Sequence, residues 1–248
     1  MATWDWQVFC RNTLDGEVVP RCFGSNGDIT YLDWMLSAWG WTLSVALLAL
    51  LVALAVGSLI GILRTTPSRA LVLLGNAWTE LFRNVPLLVQ LFLWYHVLPA
   101  LIPPLQSFPS FILVVFALGF FTSARVSEQV RAGIQALPRG QRYAGLALGL
   151  TLPQTYRYVL LPMAFRIVIP PLTSESMNII KNSAVAFAVS IAELTMFAMQ
   201  AQEETSRGVE IYLAVTALYF ISALLVNRIA LFIERRLQIP GTALGGGK

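Results

Sequence analysis

Long apolar blocks separated by short polar or proline-rich breaks dominate the chain. The first, WMLSAWGWTLSVALLALLVALAVGSLIGILR, runs from Trp34 to Arg64. It exceeds the ~20 apolar residues that a helix needs to cross a hydrocarbon core of ~30 Å. Trp34, Trp39 and Trp41 suit the water interface at its start. Gly57 and Gly61 form a small-xxx-small pair near its end, which fits close helix packing or coincidence equally. After the basic loop RTTPSR, a second helix is predicted from about Ala70 to Leu98. The Pro-rich turn PALIPPLQSFP leads into a third span from about Ser110, predicted to continue through VRAGIQALPRGQ. A basic segment, 139–162, follows. A fourth helical region starts near Met163, with an interruption expected at Pro170 and Pro171. The polar break QAQEETSRG then precedes a fifth span, IYLAVTALYFISALLVNRIALFIERR. The pattern predicts an all-α integral membrane protein with five transmembrane helices. A transmembrane barrel would show short alternating segments instead.

Composition agrees. The chain has 248 residues, 56% hydrophobic and 12% charged, against roughly 25% charged in a soluble domain. The net charge of +4 matches the Lys and Arg enrichment of cytoplasmic loops, so no nucleic-acid partner is expected. Arg64, Arg69, Arg131, Arg139, Arg142, Arg157, Arg228, Arg235 and Arg236 gather on one side if the first loop, the 139–162 segment and the C-terminus are cytoplasmic. The other side receives Arg11, Arg21 and Arg207, which makes the chain N-out and C-in. The expected organisation is a periplasmic segment 1–34, a transmembrane domain 35–238 and a mobile tail 239–248. Cys10 and Cys22 then lie on the oxidising side, where they can form a disulfide or stay as two thiols. MATWDWQVF has no basic n-region before an apolar core, so no cleavable signal peptide is expected. One histidine and two cysteines offer no metal site. The convergent catalytic groups of a membrane enzyme are missing too.

The third span ends in FFTSARVSEQVR, which places Arg125, Glu128 and Arg131 at i, i+3 and i+6. Ions at membrane depth must face a cavity or a partner. Arg125 can hold a substrate carboxylate or pair with Glu128 along the helix. Glu128 can meet an α-ammonium or neutralise Arg125. Arg131 reads as a snorkelling or loop-pinning residue. Glu80 and Arg83 form another i, i+3 pair. Ser174, Asn178 and Lys181 share one face of the fourth helix, beside Glu175, where they can line a passage or a partner interface. His96, in WYHVLP, fits an interfacial position better than a proton relay.

In PRGQRYAGLALGLTLPQTYRYVLLP, YAGLALGL predicts a short helix bounded by Pro153 and Pro162, a suitable knob for a cytoplasmic partner's groove. Here the chain resembles the transmembrane permease subunits of binding-protein-dependent ABC importers. Their cytoplasmic loop carries E-A-A, three residues, G, nine residues, then I-x-L-P. The matching positions are Tyr143, Ala144 and Gly145, then Gly149, then Val159 to Leu161 and Pro162, with Tyr143 and Gly145 as the departures. ELFRNVPLLVQ, EQVRAGIQALPRGQ and SESMNIIKNSAV are similar, in order, to three motifs of polar amino acid permeases, and the long N-terminal extension is similar to that of acidic amino acid permeases. The likeness of Glu80 and Arg83 to the first of these generic motifs implies a structural role for that pair.

The resemblance implies the type I ABC importer permease fold in a bacterial inner membrane. It implies a second permease subunit, a paralogue, together with a cytoplasmic ATPase dimer and a periplasmic substrate-binding protein. ATP and magnesium would sit on the ATPase, and this chain would hold no cofactor and catalyse nothing. The implied ATPase contacts are Tyr143, Ala144, Gly145, Gly149, Leu161 and Pro162. Arg125 stands where the family pattern A-Y-x-A-E has Tyr, which points to glutamate or aspartate as substrate. Arg83, Arg125, Glu128, Ser174, Asn178 and Lys181 are the candidate substrate contacts. The alternatives are an ion-coupled carrier or channel subunit without an ATPase, or a permease for other polar amino acids.

Overall fold

The computed structural model describes residues 4–24 and 28–237. The tail 239–248, expected to be mobile, lies outside them. The helices are α1 (Tyr31–Leu63), α2 (Arg69–Asn84), α3 (Leu87–Phe92), α4 (Leu98–Leu101), α5 (Ser110–Gln135), α6 (Arg139–Ala147), α7 (Leu152–Thr155), α8 (Leu161–Ser183), α9 (Leu194–Thr205) and α10 (Gly208–Leu237). Three of them, α1, α5 and α10, are each long and apolar enough to cross a membrane. Two bent pairs, α2 with the run through α4 and the run Leu152–Val189 with α9, bring the number to five when each counts as one span. In the most apolar window of each long helix, 61% of α5 is buried against 33% of α1 and 22% of α10, so α5 is the most buried of the three.

Each break has a local cause. The second helix does not run unbroken to Leu98, because Pro86 forces Val85 into extended geometry and α3 restarts behind it. The third span ends at Gln135 instead of continuing through Pro138, and α6 begins after that proline. Pro170 and Pro171 do not interrupt α8. The carbonyls they leave without an i+4 donor belong to Arg166 and Ile167, both on its exposed side. Pro162 also sits inside a continuous helical run. A π turn, Tyr156–Leu160, precedes it, with the Leu161 N–H bonded to the Tyr156 carbonyl. The same device, Leu93–Val97 with Leu98 bonded to Leu93, precedes Pro99. The wider turn makes room for the proline ring against the preceding turn.

The chain divides into two compact units, with boundaries inside helices. One comprises the described residues through Ala49, Pro86–Leu118 and Ile179–Ala223. Its core joins Val8, Phe9, Tyr31 and Met35 to Leu194, Phe197, Ala201, Ile211 and Val215. Trp34 meets Phe197 edge-on at 5.2 Å. A disulfide joins Cys10 to Cys22 in the N-terminal segment. Glu193 caps α9, accepting from the Thr195 and Met196 backbone, and the Tyr219 hydroxyl donates to it at 2.8 Å.

The other unit comprises Leu50–Val85, Gly119–Asn178 and the described residues from Leu224 onward. Its core is Ala53, Val126, Val130, Ile134, Tyr156, Leu160, Ala164 and Val168. Gly57 and Gly61 are packing residues. A Cβ on either would come within 2.6 Å of the Val126 Cβ or 2.7 Å of the Val130 Cβ, so these glycines let α1 and α5 approach closely.

Candidate functional site: the polar faces of α5 and the coupling segment

Arg125 and Glu128 of α5 do not pair with each other; each turns to a different neighbour. Glu128 accepts from Arg64 at 2.8 Å, and Arg64 keeps only 4% of its side chain exposed. The Arg64 Nε donates to the Asn76 Oδ1 at 2.9 Å and one terminal nitrogen donates to the Ser127 Oγ at 3.1 Å. One planar guanidinium thus joins the end of α1 to α2 and α5, the fork geometry that suits Arg and not Lys. Thr79 shares a hydrogen bond with Ser127 at 3.2 Å, and the Trp78 indole donates to Ser123 at 3.0 Å. Arg83 approaches the same Glu128 oxygen at 3.6 Å and Glu80 at 3.6 Å, both from half-exposed or exposed positions.

Arg125 faces Glu175 of α8, not Glu128, at 3.8 Å. That is too long for a hydrogen bond. Its side chain is 42% exposed while that of Glu175 is 11% exposed. The guanidinium lies 5.1 Å from the Phe121 ring centroid. The other Glu175 oxygen accepts from Gln129 at 3.3 Å, and the oxygen facing Arg125 has no hydrogen-bond partner. Arg125 therefore offers most of its donors outward.

Arg131 is half-buried, with no partner at its Nε among the described residues. Ser174 and Lys181 are exposed and Asn178 is half-buried on α8, with Lys181 in the other unit. His96 is exposed in a π turn. Among the described residues no group of His, Cys, Asp and Glu could hold a metal ion.

In the 139–162 segment, α6 closes with a Schellman cap. The Leu150 N–H bonds to the Gly145 carbonyl at 3.2 Å and the Gly149 N–H to the Leu146 carbonyl at 3.0 Å. Gly149 has φ +82°, so it stands outside the helix and supplies the left-handed residue of the cap. It is this cap, and not Pro153, that ends α6; Pro153 instead opens α7. Gly145 is buried against Thr155, whose Cγ2 would lie 2.9 Å from an added Cβ. Tyr143 and Leu148 stand out from the knob, 66% and 82% exposed. Ala144 is exposed, Leu161 half-buried and Pro162 exposed.

Residues 53–239 match the family described as the binding-protein-dependent transport system inner membrane component. The chain belongs to this family. The permease is 41% identical over 255 residues to the Glutamate/aspartate import permease protein GltJ of Escherichia coli (strain K12), covering 99% of this chain and 98% of that one. It is 32% identical to the Probable glutamine ABC transporter permease protein GlnM of Bacillus subtilis (strain 168), covering 79% of this chain and 90% of the relative. Among solved structures, an amino acid ABC transporter crystallised with histidines superposes with a TM-score of 0.73 at 33% identity, covering 83% of this chain and 95% of that one. A methionine ABC transporter, MetNI, superposes at 0.72 with 20% identity and supports the fold alone. The permease is thus a multi-pass membrane subunit of an ABC amino acid importer with the type I fold and five spans.

Arg64, Asn76, Ser127 and Gln129 escape sequence reasoning as site residues, and Glu175 is legible there only as a neighbour of the α8 stripe. Arg64 ends an apolar run as any snorkelling loop arginine would. The available signal was on α2, where Asn76, Thr79, Glu80 and Arg83 make a polar stripe at helical spacing.

Proposed function

We propose that this permease carries acidic amino acids, glutamate or aspartate, across a bacterial inner membrane. It does so with a second permease subunit, fed by a periplasmic binding protein and driven by a cytoplasmic ATPase pair that grips the 139–162 segment. The carrying observation is Arg125: a half-exposed guanidinium on the most buried span, held by a carboxylate only at 3.8 Å. A carboxylate leaving water needs a fixed cation with free donors, and a planar fork provides two parallel, charge-assisted bonds. The full-length similarity to a glutamate/aspartate permease supports the same reading. Glu128, engaged by Arg64 and approached by Arg83, serves the fold more than the substrate. Ser174, Asn178 and Lys181 remain candidate contacts on α8.

The test is uptake of glutamate, aspartate, glutamine and arginine by the reconstituted complex with its binding protein. Arg125→Tyr is expected to lose acidic substrates by ~10-fold or more, as when one partner of a desolvated charge pair is removed. ATPase content controls for assembly. Wild-type uptake of both acids by an assembled Arg125→Tyr complex refutes the role. Preferential uptake of glutamine by the wild type would favour the reading as a permease for other polar amino acids.

A further inference from the structure

We infer that Tyr156 is a positioning residue that transmits movement of the coupling segment to the Arg64 cluster. The proposal rests on the reading of 139–162 as the ATPase contact. Tyr156 opens the π turn directly after α7, and α7 packs on α6 through Thr155 against Gly145. Its ring is 6% exposed, within the cluster formed by Val126, Val130, Leu160 and Ala164. From that buried position its hydroxyl reaches the end of α1. It donates to the Thr65 carbonyl at 2.7 Å and lies 3.0 Å from the Thr65 Oγ1. Thr65 in turn donates to the Ile62 carbonyl at 2.8 Å, which fastens it to the last turn of α1.

The next residue back along the chain is Arg64, with its hydrogen bonds to Asn76, Ser127 and Glu128. A short run of directional bonds therefore leads from the knob to three transmembrane helices. Thr65 and Arg64 lie in the turn that follows α1, and the Thr65 bond to the Ile62 carbonyl holds that turn against the helix. Buried polar contacts of this kind hold geometry, because losing either partner leaves a polar group without water. A displaced coupling segment must carry the Thr65 carbonyl with it or break these bonds. Moving Thr65 moves the backbone of Arg64, and so shifts the one cation shared by α1, α2 and α5. The π turn suits this task, because it places Tyr156 on a locally widened turn that runs unbroken into α8.

The experiment uses the whole complex in proteoliposomes with its binding protein, reading ATP hydrolysed and glutamate imported from the same vesicles. Tyr156→Phe removes only the hydroxyl. It is expected to keep wild-type ATPase content and basal hydrolysis while glutamate imported per ATP falls about fivefold. p-Aminophenylalanine incorporated at position 156 restores a donor and is expected to recover most of the ratio. A structural loss lowers import and hydrolysis together, so a Tyr156→Phe ratio equal to that of the wild type overturns the relay.

A second measurement leaves Tyr156 untouched. Spin labels on Thr66→Cys and Arg157→Cys report the distance between the α1 end and the coupling segment in the resting and vanadate-trapped complex. The relay requires one distance in both states, and a peak displaced by more than its own width overturns it. The docking reading is scored separately by ATPase retention in Gly149→Ala. Wild-type retention there sinks the docking reading and leaves the Tyr156 outcome interpretable on its own.

Discussion

Arg64→Met is the most informative single perturbation of the fold, because Met refills much of the stem's volume and removes only the guanidinium. The side chain is 4% exposed, and its three partners are Asn76, Ser127 and Glu128. Leaving the Asn76 and Ser127 oxygens without their donor costs about 1 kcal/mol each. Breaking a fully buried ion pair costs ~3–5 kcal/mol. Glu128 is 35% exposed and Arg83 stays within 3.6 Å, so about 1–2 kcal/mol is the better figure for that pair. The sum is about 3–4 kcal/mol, which lowers Tm by roughly 10 °C for a chain of this length. Arg64→Lys keeps the charge but cannot reach three acceptors with one ammonium, and should lose about half as much. Arg69→Met, at the exposed start of α2, is the control. The assay is thermal unfolding of the purified complex in detergent, followed by size-exclusion recovery. An Arg64→Met complex that melts within about 2 °C of wild type refutes the cluster as a structural element.

Two further outcomes test other parts of the molecule. Gly149→Ala puts a Cβ at φ +82°, at a cost of ~1–2 kcal/mol. It should reduce the ATPase that co-purifies, Gly149→Asn should do so less, and Gly140→Ala, with open space and no left-handed backbone, should not. With Cys10 and Cys22 joined in a segment outside the membrane, an impermeant thiol reagent should label intact spheroplasts only after reduction. Labelling that needs permeabilised membranes would reverse the topology.

Much of the coupling segment was legible because its signals are local. The run YAGLALGL does form a short helix, but Gly149, read as part of it, lies two residues past Ala147 and supplies the left-handed cap. Breaks were less legible. Pro86 breaks its span and Pro170 does not: Val85 turns extended ahead of Pro86, while α8 carries the carbonyls its prolines orphan on an exposed side. The partners of the α5 ions were not legible at all.

The amino-acid order alone determined the apolar spans and the family, and it predicts an orientation. Transfer of apolar residues into hydrocarbon sums over a segment without reference to its neighbours, and the positive-inside bias is counted loop by loop. Only the tertiary structure decided the ionic pairing. An Arg125–Glu128 pair along one helix is worth a few tenths of a kcal/mol. An unpaired, buried Arg64 would cost several, so Glu128 goes to Arg64 and Arg125 is left facing Glu175. That contest involves residues 64 positions apart in the first pair and on different helices in the second, and no periodicity along the chain records it.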